Sequence, residues 1–373
     1  MKHVLLICCL SLGLLFAQET KVETFDLAPG LKVDIHNKCG GSITIEGWEQ
    51  NGAELTINYR GDASDWDTET ALDNDGLKIV MRCRGNSDGS AKVHLKVPTL
   101  QDVKFYTSGG DIDLTGLEGQ FKGKTMGGDI TLKKLTGHTQ ISTMGGDIRV
   151  EASELDGKVK TMGGDIRFKD VLGKVDGSTM GGNVVYDNVR TGLNANSVGT
   201  PEDVVKVSTM GGEIRVEDAP LGAKLSTMGG EIEVVKAGKF VSAKTMGGDI
   251  DIQEIDGWVK ATTMGGNVGV KMVGDPSVGR RDVTISSMGG EITLYVPRAL
   301  SMNFDITLKY SKNSKRDYKI NSDFAMDQEE SEEWQWFGGK KLRTIRGTGS
   351  VNGGEHTIKI ETNNGNVNIK AVD

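Results

Sequence analysis

The chain has 373 residues, with 52 glycines against only 6 prolines and a formal net charge of −8. Glycine without matching proline excludes collagen, and an acidic balance lacks the basic face that phosphate binding needs, so nucleic acid is excluded as a main partner. A hydrophobic fraction of 36% is thin for a globule of this length; it suits a fold with a narrow core and excludes a multi-pass membrane protein.

At the N-terminus, Lys2 and His3, the apolar run from Val4 to Phe16 and the small Ala17 read as a secretory signal over residues 1–17, cut before Gln18. Cys8 and Cys9 belong to that run, because Ile7 stands where a lipoprotein anchor wants a small residue. No other stretch approaches the length of a membrane span. The mature chain is therefore expected in the periplasm, at the cell envelope or secreted, with no integral span. Only Cys39 and Cys83 remain in it. An oxidising compartment leaves two readings for them, a disulfide or two separate buried thiols.

Residues 18–104 are predicted to form an N-terminal β cap with the first irregular coils. Apolar and polar residues alternate over 31–36, 42–46, 53–59, 77–83 and 92–97, the pattern of half-buried strands. Asp73-Asn74-Asp75-Gly76 hints at a calcium loop, but Ala71 stands where an oxygen ligand is required, so a solvated turn is expected. Gly85-Asn86-Ser87-Asp88-Gly89 fits a nucleophile elbow, yet it joins two strands and no helix follows, so a hairpin turn is expected. The histidines 36, 94, 138 and 356 have no metal-ligand spacing.

Residues 105–296 carry a repeat. Thr-Ser-Gly-Gly-Asp-Ile at 107–112 is followed by Thr-Met-Gly-Gly, an Asp, Glu or Asn, and an Ile or Val, with the methionines at 126, 144, 162, 180, 210, 228, 246 and 264. A Ser-Met-Gly-Gly-Glu-Ile variant carries Met288, and the degenerate Gly40-Gly41-Ser42-Ile43 is an early copy. The step is 18 residues, lengthened around Asn194–Val204 and Asp275–Arg281. After each Gly-Gly, β-branched and other apolar residues alternate with polar ones, as at Ile130 and Leu132 or Ile250 and Ile252. That period of two signals strands, and Gly-Gly is expected to mark a corner through dihedrals that other residues resist. Eighteen extended residues span roughly 60 Å, about one turn of a β-solenoid, with successive coils stacked at ~4.8 Å. The fold class expected is all-β, a single-stranded β-solenoid (β-helix) of 18-residue coils between β-rich N- and C-terminal caps.

Two ladders follow from stacking like on like. Asp111, Asp129, Asp147, Asp165, Asn183, Glu213, Glu231, Asp249, Asn267 and Glu291 align after the glycines. Like charges ~4.8 Å apart repel by about 0.9 kcal/mol in water, so the column is expected to be a solvated edge whose carboxylates cap turn N–H groups, with divalent cations as the alternative. Lys124, Lys160, Lys244, Arg149 and Arg167 are placed to balance it. The methionine column is read first as packing or corner cover, with an exposed strip for a partner or for Cu(I) as the alternatives.

Residues 297–373 are predicted as a C-terminal β cap, with strands at 303–308, 356–360 and 366–370 and an acidic, aromatic-tipped loop or insertion from Asp323 to Trp336. Caps are required because bare strand edges template aggregation. Asn37-Lys38-Cys39-Gly40-Gly41-Ser42-Ile43-Thr44-Ile45-Glu46-Gly47-Trp48, the strand end Val97-Pro98, the Thr-x-Gly-Gly-Asp-Ile coils and Asn364-Gly365-Asn366-Val367 together resemble the bacterial DUF4097-type, adhesin-like β-solenoid family, related to the auto-transporter adhesin, head GIN domain proteins. The resemblance covers about 30 to 370 and implies an exported or envelope protein with no catalytic residues to carry over. It also implies Ser or another small polar residue where this chain has Met, a pattern kept only at Ser108.

The function expected is a non-enzymatic envelope or surface protein acting by binding, as an adhesin-like protein, scaffold or envelope sensor. Its ligand would be a surface protein or polysaccharide, without cofactor or metal. The alternatives are a purely structural, self-associating rod and a carbohydrate-active β-helix enzyme, which normally needs longer coils and loops that wall a cleft.

Overall fold

A computed structural model describes residues 3–5, 19–60, 63–84, 90–190, 204–312, 317–337 and 339–373. The leader expected over residues 1–17 falls outside them apart from His3–Leu5, and so do Gly85–Gly89 and most of the insertion expected around 194–204. The protein is all-β; among the described residues the single helical element is the 3-10 turn Ala63–Asp65. No described helix is long and apolar enough to cross a membrane. The chain divides into two units, 1–179 and 180–373, and the division falls inside the repeat.

In the first unit the strands after Gly-Gly pair in parallel at the period of the sequence. Ile112 lies beside Ile130, Ile130 beside Ile148, and Ile148 beside Ile166. The second unit repeats this with Ile214, Ile232, Ile250, Val268 and Ile292. A second set of parallel strands precedes each motif, as where Val205, Ala223, Val241, Val259 and Val283 follow one another. Both sets turn their β-branched side chains inward, and the Ile and Val columns are almost fully buried. Each of these interior residues thus stacks on another apolar residue one strand spacing away, and hydrophobic burial and main-chain bonding reinforce one another.

The turn between the two sets holds the motif. Gly-Gly does not work there by unusual dihedrals, as expected from the sequence. Positive φ occurs at Gly41 and Gly110, but in the regular repeats the second glycine is needed for close approach. A Cβ on Gly128, Gly146 or Gly164 would sit within 2.2 Å of the carbonyl oxygen of the equivalent glycine one repeat earlier. Left-handed backbone appears instead at the opposite turn, where Gly116, Lys134, Ala152 and Asp170 recur at the 18-residue step.

The threonine of the motif is buried throughout. Thr143 Oγ1 donates to Gly128 O at 2.9 Å, one repeat earlier, and accepts from its own Gly146 N–H at 3.3 Å. Thr161, Thr227, Thr245 and Thr263 do the same. In the degenerate first copy the buried Asn37 stands opposite Thr107 and donates to Gly40 O at 2.8 Å. Each repeat therefore satisfies its buried turn through the previous one.

Both ends are closed by antiparallel strands. At the N-terminal end Glu19–Phe25 pairs with Ala53–Arg60, which pairs with Ser90–Pro98, and Trp66–Asp73 pairs with Gly76–Cys83. Here the order in space departs from the order in sequence. Lys32–Asn37 lies between Gly76–Cys83 and Asp102–Thr107, and Ile43–Trp48 lies between Ser90–Pro98 and Ile112–Thr115. The C-terminal end mirrors this. His356–Asn363 lies between Val283–Ser287 and Met302–Ser311, and Val367–Val372 between Ile292–Pro297 and Ile320–Ser322. The stretch from Asp323 to Trp336 is not a plain loop, since Asp327–Glu330 and Gln335–Phe337 pair antiparallel with the long strand Lys340–Val351. Trp336 is its exposed tip.

The two glycines of one motif separate cleanly in a stability measurement. Gly146→Ala is expected to cost about 3 kcal/mol or more because backbone must move, whereas Gly145→Ala, whose Cβ would have 3.6 Å to the nearest atom, should stay within about 1 kcal/mol of the parent. Urea unfolding of both variants checks the contrast.

Candidate functional site

The acidic ladder lies just past the glycines. Asp111 Oδ1 accepts the N–H of Asp129 at 3.0 Å, Asp129 Oδ1 that of Asp147 at 2.8 Å, and Asp147 Oδ1 that of Asp165 at 2.9 Å. Asn183, Asp249 and Asn267 do the same for Glu213, Asn267 and Glu291. The carboxylates do cap N–H groups, but those of the neighbouring repeat, so the ladder bonds successive rows. An amide oxygen serves equally, which is why Asn fits among the aspartates. Arg149 answers part of the charge, reaching Asp129 at 3.4 Å and Asp147 at 3.1 Å; Lys124 lies instead over the ring of Tyr106. In the second unit, partial burial and then the carboxylates of Asp249 and Glu213 hold the Glu231 carboxyl above its ordinary value.

The nine methionines of the motif are 42–55% exposed, which places them at the solvent-facing turn and not in the core. Asp73 caps the turn Asp73–Gly76 through the N–H groups of Asp75 and Gly76, at 2.9 and 3.2 Å. His36 sits 2.9 Å from Asp34 and His94 3.3 Å from Glu46, and no metal-sized group of His, Cys, Asp and Glu occurs among the described residues. Cys39 and Cys83 are joined as a disulfide, with Cα atoms 5.7 Å apart. The register explains the proximity: Asn37 lies beside Met81, and Lys38 N–H donates to Met81 O at 3.0 Å.

The feature that the sequence did not single out is a cleft of about 500 Å³ in the second unit, lined by Pro220, Lys239, Asp256, Trp258, Val278 and Arg280. Trp258 and Arg280 in one wall belong to a stack that runs across the repeats and continues beyond the cleft lining. The rings of Phe240 and Trp258 lie parallel within 10° at 4.8 Å between centroids, with Lys224 over Phe240 at 6.0 Å and Arg280 over Trp258 at 5.0 Å. Phe240 and Trp258 are paired positions on adjacent strands, so the parallel register itself makes the stack. Cations on aromatic faces add attraction to ring contact.

The other wall is the insertion seen in the sequence at Asp275–Arg281, and Arg281 pins it. The Arg281 guanidinium is 1% exposed, donates to Val273 O at 2.7 Å and Val278 O at 3.2 Å, and pairs with the Asp256 carboxylate. Asp275 accepts from both the N–H and the hydroxyl of Ser277, which lowers its pKa. Asp282 is held low although burial opposes it, because Thr357 N–H and Arg280 both bond its carboxylate. A charge run such as Arg280-Arg281-Asp282 reads as a solvated loop in sequence. Only the third dimension shows that the second arginine faces inward.

No protein-family model matches the chain, and no curated protein does; the resemblance drawn from its motifs stands without a family match. Among solved structures the chain is similar to a candidate adhesin from Parabacteroides distasonis, at 13% identity over 75% of this chain and 98% of that one, TM-score 0.35. It is also similar to a candidate lipid-binding protein from the same organism, at 13% identity over 74% and 96%, TM-score 0.29. A candidate cell adhesion protein from Clostridium sporogenes matches at 9% identity over 95% and 100%, TM-score 0.19. At such scores the likeness assigns neither family nor role.

Two outcomes test this geometry. Glu231→Gln should raise the melting temperature at neutral pH, since a carboxyl with a raised folded pKa opposes folding when ionised. The gain should shrink as pH falls through the folded pKa and vanish below the ordinary value of 4.5; thermal unfolding across pH reads this. Arg281→Met should leave the Val273 and Val278 carbonyls unpaired, cost about 2 kcal/mol, and open 273–282 to limited proteolysis.

Proposed function

We propose that the chain is an exported, non-enzymatic β-solenoid protein of the cell envelope or surface that acts by binding, each 18-residue repeat being one turn of the solenoid. The leader is residues 1–17, the caps are 18–104 and 297–373, and the repeats fill 105–296. The Cys39–Cys83 bridge belongs to this reading, because a pair of thiols closes stably in an oxidising compartment.

The cleft beside 273–282 carries the proposal. The repeats pair without the insertion, and ordering a loop costs roughly 1–2 kcal/mol per residue in backbone entropy. Burying a guanidinium is costly as well unless it is fully bonded. This chain meets both costs at one place and there lines the cleft with Trp258 together with Lys239, Asp256 and Arg280. Such preorganisation favours binding, and the cleft lies within the range of about 300–1,000 Å³ typical of ligand pockets. Mixed charges beside aromatic rings suit a polar, ring-bearing ligand, so a surface polysaccharide is preferred to an apolar one.

The test is capture of purified native surface polysaccharide, comparing the parent with Trp258→Ala and Arg280→Ala. Each variant should bind about tenfold or more weakly with an unchanged circular dichroism spectrum. Equal binding by all three would remove the cleft from the proposal, and no binding by the parent would remove the ligand class. N-terminal sequencing should find Gln18 first, and non-reducing peptide mapping should find Cys39 linked to Cys83. A cytosolic chain starting at Met1 would overturn export.

A further inference from the structure

Core packing does not explain the methionine column. In the second unit Met210, Met228, Met246 and Met264 occupy one repeat position and are 42–50% exposed, whereas Met272 and Met302 fill the core. The residue after each is a glycine whose added Cβ would find nothing nearer than 3.4 Å, so no side chain there shelters the sulfurs. The main chain fixes their spacing. Met228 N–H donates to Met210 O at 3.2 Å and Met246 N–H to Met228 O at 3.1 Å, which sets successive methionines one strand step apart, ~4.8 Å.

That step matches a chemical distance. Two sulfurs at ~2.3 Å from a shared metal ion span ~4.6 Å, and three rotatable bonds in each side chain absorb the remainder. Thioethers are soft donors that select Cu(I) over the hard ions preferred by carboxylates and water. Glu213, Glu231 and Asp249 follow Met210, Met228 and Met246 by three residues and give the same turn a negative field that gathers cations. A further reason rests on the export proposed above: thiols are oxidised in such a compartment, and a thioether remains a soft ligand there.

We propose that the column from Met210 to Met264 binds a soft monovalent cation, Cu(I) by its chemistry, held between sulfurs of successive repeats. Silver(I) serves as the probe because it needs no reductant and leaves disulfides intact. Equilibrium dialysis compares the purified protein, with free thiols alkylated, against the variant in which Met210, Met228, Met246 and Met264, and with them the equally exposed Met126, Met144, Met162, Met180 and Met288, are all changed to Leu. Leucine keeps volume and apolarity, so circular dichroism and melting should not change. The parent should take up silver at about 10 µM or below, and the leucine variant about tenfold more weakly. Equal uptake by the two proteins, or none by the parent, overturns the proposal. So does X-ray absorption of the Cu(I)-loaded parent that shows no sulfur ligand. Trp258 and Arg280 are intact in both proteins, so failure here leaves the cleft untouched.

Discussion

The approach of one main chain to another at the second glycine of the motif governs the rest of the fold. A Cβ there would meet the carbonyl of the preceding repeat at about half the normal contact distance, so every turn must be bare at that point. The carbonyl brought so near is the one that the buried threonine hydroxyl bonds. The same proximity lets an aspartate oxygen reach the next N–H. Glycine, threonine and aspartate act as one device: the first permits contact, the second satisfies its buried polar groups and the third extends the bonding outward. The Ile and Val columns stack closely because this device sets the spacing between repeats.

The strand framework was legible because a period of two beside a period of 18 has few other physical solutions. The parallel register of Ile112, Ile130 and Ile148 could be written down from the motif alone. The role of the threonine could not, since a hydroxyl in a polar-looking turn gives no sign of burial. The left-handed positions Lys134, Ala152 and Asp170 share no residue type, and a conformation imposed by the turn leaves no compositional trace. Lys340–Val351 does not read as a strand because its first half, Lys-Lys-Leu-Arg-Thr-Ile-Arg, is dominated by charge.

The candidate site divides the same way. The insertion at Asp275–Arg281 was visible as six extra residues in a step of 18 that is lengthened at one other place. Its meaning depends on the inward turn of Arg281 and on Phe240 and Trp258 meeting face to face across a strand pair, which a linear reading places 18 residues apart. The exposed methionines are the opposite case: position and identity were plain in the sequence, and only the side they face had to come from the structure.

The interleaved ends of the fold bear on how such a chain matures. Residues 32–48 are flanked by 76–98 and 102–115, and residues 356–372 by 283–297 and 302–322. A polypeptide emerging in order completes 283–297 and 302–311 before the strand that must lie between them exists. Until it arrives, two unpaired edges face one gap, and such edges invite aggregation and proteolysis. Synthesis halted short of residue 356 would therefore yield a product marked for disposal, however perfect its repeats. Closure of this gap thus depends on strands that are made after both of its walls.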